Sequence, residues 1–262
     1  MHTREEKLAE FGRLLDIMDD LRQKCPWDKE QTMESLRTLS IEEVYELADA
    51  IIAEDTNGIK KELGDVLLHV VFYALIGSES GNFDIYDVCK SLNEKLIYRH
   101  PHVFGAVEVA NAQAVEQNWE VLKLKEKGGN KTVLSGVPRS LPALIKAHRI
   151  QDKARSVGFD WEEREQVWDK VAEEFTELKT EIQSMNTDKM EAEFGDLLFS
   201  LINAARLYDI NPENALERTN RKFICRFNHL EATTIAQGRD LKKMTLQEMD
   251  EIWNEAKKLE LE

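Results

Sequence analysis

The chain has 262 residues, 42% hydrophobic and 32% charged, a globular composition long enough for one large domain or two of ordinary size. Its 35 Lys and Arg stand against 50 Asp and Glu, a formal charge of −15, which argues against the basic face that grips a long nucleic acid. A small anion remains an acceptable ligand if divalent cations sit between it and the carboxylates.

The N-terminal segment MHTREEKLAEFGRLL has no apolar signal core ahead of its charges. Leu8, Phe11, Leu14 or Leu15, Met18 and Leu21 recur at helical intervals and predict an amphipathic first helix. A second helix is expected from about Ser40 to Glu54 and a third from about Ile59 to Ser78. The most apolar run, Val66 to Ile76, lies in that third helix and is too short to span a bilayer, so no membrane segment is expected. Gly81 can close it, and Asp84 then caps a fourth helix, with Phe83 and Val88 spaced as a hydrophobic staple. A further helix is expected around Ala112–Glu126. The Gly- and Pro-bearing stretch from Lys127 to Pro142 is the clearest break. Strand-like alternation is absent, so the fold class is all-α. Cys25, Cys89 and Cys225 form neither a CxxC pair nor a disulfide framework and read as reduced thiols of a cytoplasmic protein.

Beyond the break the pattern repeats. Ile41-Glu42-Glu43-Val44-Tyr45-Glu46-Leu47 matches Ala172-Glu173-Glu174-Phe175-Thr176-Glu177-Leu178, and Glu62-Leu63-Gly64-Asp65 matches Glu193-Phe194-Gly195-Asp196 at the same offset. Asn93, Lys95 and Arg99 match Asn220, Lys222 and Arg226, and Trp119 and Lys123 match Trp253 and Lys257. The chain is therefore read as a tandem of helical-bundle modules, residues 1–126 and 140–262, joined by a linker over 127–139.

Residues three apart on a helix are separated by about 60° around its axis, so Glu174 and Glu177 share one face and Glu193 and Asp196 another. An antiparallel pair with a short connection brings those faces together. Four clustered carboxylates repel one another unless a cation sits among them, and hard oxygen donors suit Mg²⁺, with Mn²⁺ as a substitute. A single ExxE is more often a solvated face, and Ser40 with Glu43 has the spacing of a capping box. In the second copy, however, Val171 stands where that cap would be. A ferritin-like di-iron site would need Glu-x-x-His pairs that neither copy offers; His69 follows Asp65 by one helical turn, but its counterpart is Ser200. Lys222 with Arg226, Lys95 with Arg99, and Trp253 with Lys257 are cationic and aromatic pairs suited to phosphates and a base. His100 and His102 are not kept in the second copy and read as a helix-ending turn.

The order EExxE, spacer, ExxD, then Lys-x-x-x-Arg resembles the MazG family of nucleoside triphosphate pyrophosphohydrolases. So do Cys25-Pro26-Trp27-Asp28-Lys29-Glu30-Gln31-Thr32, Arg99-His100-Pro101-His102-Val103-Phe104 and Pro138-Arg139-Ser140-Leu141-Pro142-Ala143-Leu144. The resemblance covers nearly the whole chain and points to the family's two-module form. It implies a dimer that converts a nucleoside or deoxynucleoside triphosphate and water to the monophosphate and pyrophosphate, in a house-cleaning or pool-restraining role. It puts Mg²⁺ ligands on Glu174, Glu177, Glu193 and Asp196, with first-module equivalents Glu43, Glu46, Glu62 and Asp65. Nucleotide contacts fall on Lys170, Glu173, Lys189, Lys222, Phe223, Arg226 and Trp253, with Lys257 nearby. Glu173 or Glu174 would orient the attacking water, while Lys222 and Arg226 stabilise developing charge. The positions of Lys170 and Lys189 are Leu39 and Gly58 in the first copy, although Lys60 and Lys61 lie close to the second gap, and the second module is expected to do most of the hydrolysis. The competing expectations are a non-catalytic helical regulator that binds nucleotide and metal, and a purely structural helical dimer.

Overall fold

The computed structural model describes residues 1–109, 111, 115, 118, 119, 122, 123, 126 and 131–259. No strand occurs among them, and they divide into two compact units, Met1–Val109 and Ala110–Glu262. The sequence break placed the linker later, over 127–139, of which residues 127–130 lie outside the described residues, as does much of the helix expected around Ala112–Glu126.

In the first unit, α1 (Arg4–Lys24) begins at Thr3, whose hydroxyl and Glu6 form a reciprocal capping box. A short α2 (Pro26–Glu30) leads into α3 (Met33–Ile52), α4 (Thr56–Glu79), α5 (Ile85–Arg99) and a single turn, α6 (Pro101–Phe104). Helix α3 begins almost two turns before the expected Ser40, because Thr32 and Ser35 cap each other there and Leu36 is fully buried in the core. Ser40 is thus inside a helix, its hydroxyl donating back to the Leu36 carbonyl at 2.9 Å, and no cap explains Glu43. Downstream, Gly81 takes a left-handed φ of 66° just after α4, and Asp84 caps α5 in a box with Asp87. Met18, Leu36, Val71 and Phe72 form the buried centre where α1, α3 and α4 meet. Arg22 ties this end together: it grips both Glu79 oxygens, at 2.6 and 2.8 Å, and donates to the carbonyls of Asp28 and Gln31.

The second unit contains α7 (Ala143–Arg155), α8 (Val167–Ser184), α9 (Thr187–Leu207), α10 (Pro212–Ala236) and α11 (Leu246–Lys258). Helices α3 and α4 are joined through Ala53–Asp55, and α8 and α9 through Met185 and Asn186 alone. In each joint one residue, Glu54 or Met185, adopts positive φ, and an Asp or Asn side chain caps the next helix. Connections this short leave an antiparallel hairpin as the only packing open to two long amphipathic helices. Beside this pair, α10 packs on α11 through Leu230, Met244 and Ile252. Buried Arg206 forks onto Asp160 and Asn203, fastening the segment before α8 to α9.

Candidate metal centre and nucleotide site

The two hairpins bring together the carboxylates that the repeat marks out. In the second unit, Glu174 and Glu177 from α8 and Glu193 from α9 offer oxygens that all lie within 4.8 Å of one another. Glu174 is buried, and the Oε2 of Glu193 is buried without a hydrogen-bond partner. Burial raises the pKa of Glu193, and the charges of Glu177, Asp196, Glu174 and Glu181 raise it further. A buried carboxylate oxygen with no donor, ringed by like charges, is a site in want of a cation, and an all-oxygen donor set fits Mg²⁺. Asp196 acts on Glu193 electrostatically but lies outside the compact three-residue group and is exposed.

Lys170 and Lys189 flank the cluster. Lys170 Nζ reaches Glu174 at 2.8 Å and Glu173 at 3.1 Å, and these hydrogen bonds raise its pKa. Lys189 Nζ lies 3.4 Å from Glu181, a residue that the repeat did not flag because Ala50 stands at the matching place. Its signal was local: Glu181 follows Glu177 by one turn on the same face of α8. Lys222, Phe223 and Arg226 lie together on α10, and the Phe223 ring meets that of Trp253 on α11 at 5.0 Å between centroids. Phe223 also stacks on Phe227 and remains exposed, and the Nε of Arg226 is buried without a hydrogen-bond partner. Lys257 follows Trp253 by one turn of α11 and is exposed.

The first unit repeats the arrangement with differences. Glu43, Glu62 and Asp65 form the compact group, and Glu46 is the one left at its edge, with a pKa raised by burial and by Glu62 and Glu43. The Oε2 of buried Glu62 has no hydrogen-bond partner. A lysine enters this cluster directly: Lys61 Nζ lies 2.8 Å from Glu62 and 3.7 Å from Asp65, where the second unit has Ala192. That internal cation partly neutralises the first cluster. Lys95 and Arg99 share α5, and His100 closes that helix with Nδ1 at 2.6 Å from the Leu96 carbonyl, matching the expected turn. Trp119 and Lys123, matched by sequence to the first module, fall within the second contact unit, where Lys123 Nζ lies 5.0 Å from the Trp119 ring centre.

The comparisons with known proteins find the same duplication. The model of the MazG nucleotide pyrophosphohydrolase domain matches residues 31–104 and again 162–231. A nucleoside triphosphate pyrophosphohydrolase of Escherichia coli (strain K12) is 41% identical over 262 residues, 97% of this chain and 100% of that protein. A nucleoside triphosphate pyrophosphohydrolase/pyrophosphatase MazG of Thermotoga maritima is 45% identical over 250 residues, 94% of this chain and 95% of its own. A Bacillus subtilis protein described as uncharacterized protein YabN is 48% identical over 98% of this chain, which spans 54% of it. The chain belongs to the MazG nucleotide pyrophosphohydrolase family.

Proposed function

We propose that the chain hydrolyses nucleoside or deoxynucleoside triphosphates to the monophosphate and pyrophosphate with Mg²⁺, and that the second module carries most of the turnover. The observation that bears most weight is the Glu174–Glu177–Glu193 group, with its buried, unpartnered Glu193 oxygen, in a chain of this family. Mg²⁺ held there with Asp196 would coordinate triphosphate oxygens and acidify a bound water. Glu173 or Glu174 would orient the water; Lys170, paired with both at 3.1 and 2.8 Å, would exchange those contacts for phosphate as substrate binds. Lys189, Lys222, Arg226 and Lys257 meet phosphate oxygens and the charge that develops on them. Phe223 and Trp253, an aromatic pair with one exposed face, stack on the base.

The module bounds follow the repeat, 1–126 and 140–262 about a linker over 127–139, and the protein works in the cytoplasm as a homodimer. Its three cysteines are unpaired, in keeping with a reducing compartment, and no described helix is long and apolar enough to cross a membrane. Dimerisation is supported by large apolar side chains left exposed at matching places of both hairpins: Val44 and Phe175, Ile51 and Ile182, Leu63 and Phe194, Leu67 and Leu198. A second copy is the partner with the same faces to cover.

The test is pyrophosphate release from a panel of NTPs and dNTPs in Mg²⁺ and in EDTA. Metal-dependent release with a monophosphate as coproduct is expected. Nucleotide binding by the folded protein, with no pyrophosphate from any member of the panel, would replace the enzyme with a nucleotide-binding regulator.

A further inference from the structure

The charged stripes of the second unit run on past the compact carboxylate group. Lys170, Glu174, Glu177 and Glu181 follow one another along α8 at helical spacing, as do Lys189, Glu193 and Asp196 along α9, so each set shares one face. The hairpin brings the joint ends of the two stripes together, and Lys189 Nζ lies 3.4 Å from Glu181 Oε1. Glu181 is firmly seated: its side chain is 20% exposed and its Oε2 lies 2.9 Å from the Ser184 hydroxyl. The Lys189 side chain, by contrast, is 62% exposed. The acid is the fixed member of this pair and the lysine is the one it steers.

Closing the hairpin does not require the pair. At the repeat offset the same two places in the first unit are Ala50 and Gly58, and a Cβ added to Gly58 would stand 3.2 Å from that of Ala50. Two small residues therefore close a joint of the same form, with Glu54 at positive φ as Met185 is in the second. An exposed ion pair in that position adds little stability. Its charges bear on the site instead, for Glu181 is among the acids that raise the pKa of Glu193. Without Glu181, Lys189 has another acid within reach: Glu193 follows it by one turn of α9, and the Glu193 Oε2 has no hydrogen-bond partner. In the first unit, where Ala50 replaces Glu181, a lysine does rest on the counterpart of Glu193, since Lys61 Nζ lies 2.8 Å from Glu62. An ammonium so placed takes up a carboxylate that Mg²⁺ needs and is itself withdrawn from phosphate.

We infer that Glu181 is a positioning residue: it holds the Lys189 ammonium at the joint end of the cluster, off the metal ligand Glu193, where an arriving phosphate can take it. The inference rests on the metal and nucleotide reading of the second module.

The test is a double-mutant cycle in the full chain carrying Glu43→Gln and Glu46→Gln, which weaken the first cluster. It is read by Mg²⁺ titration calorimetry without nucleotide and by the KM of pyrophosphate release. Glu181→Gln should raise the Mg²⁺ dissociation constant about ten-fold, and KM with it, at a nearly unchanged melting temperature. Lys189→Met should alter Mg²⁺ affinity little by itself, yet restore it in the Glu181→Gln chain while KM stays high. Additive effects of the two substitutions on Mg²⁺ affinity would reduce the pair to its bulk charge and overturn the inference. So would a Glu181→Gln chain that binds Mg²⁺ and substrate as before. Absence of pyrophosphate release from the unaltered chain would remove the proposed function, and the calorimetric cycle would still decide the role of Glu181.

Discussion

At the residue scale the second cluster combines a buried glutamate, an orphaned carboxylate oxygen and several like charges. Without metal these charges oppose folding, so Glu193→Gln should raise the melting temperature in EDTA and lower the gain that Mg²⁺ confers, as calorimetry would read. Activity should move the opposite way. Glu174→Gln with Glu177→Gln should cost about a thousand-fold or more in kcat, while Glu43→Gln with Glu46→Gln should spare much of it. That asymmetry is expected because Lys170 and Lys189, beside the second cluster, are replaced by Leu39 and Gly58 in the first copy; a lysine contact alone does not separate the two, since Lys61 meets Glu62 as Lys170 meets Glu174, each at 2.8 Å. Equal losses from the two pairs of substitutions would sink the assignment of the second module as the main one.

Among the elements, the hairpins owe their form to short joints, and the first unit also depends on the Arg22 strap. Its side chain is mostly buried and serves Glu79 and two carbonyls, so Arg22→Ala should destabilise the first unit by about 2 kcal/mol in urea titrations. The guanidinium also holds the Glu79 carboxyl below its ordinary pKa of 4.5. A depressed acid contributes stability that is present above the unfolded value and lost as pH falls through the folded one. Below about pH 4.5, therefore, Glu79→Gln should flatten the acid limb of the first unit's stability curve. The same scale shows what periodicity leaves unread. Helix α3 starts at a Thr–Ser box that was legible in Thr32 and Ser35, yet the apolar rhythm of its early turns is thin, and only packing of Leu36 reveals that the helix extends there.

For the whole molecule, two units of one fold leave matching apolar faces exposed, and light scattering should give twice the 30.3 kDa of the chain. A monomer at micromolar concentration would contradict the proposed dimer. Mg²⁺ at a hundred times its dissociation constant should add about 2.7 kcal/mol to the stability of the unit that binds it.

The sequence by itself determined the helical class, the duplication, and the identity of the acids that meet, because helical spacing fixes which side chains share a face and a repeat exposes what both copies keep. Only the tertiary structure decided which three acids of each four form the compact group: Glu174, Glu177 and Glu193 in one unit, Glu43, Glu62 and Asp65 in the other. It also paired Lys61 with Glu62 and Asp65 and Lys189 with Glu181, contacts whose residues Lys61 and Glu181 have Ala192 and Ala50 at the matching places of the other copy. Distance between side chains on neighbouring helices depends on how the hairpin packs, and a one-dimensional pattern carries no record of that.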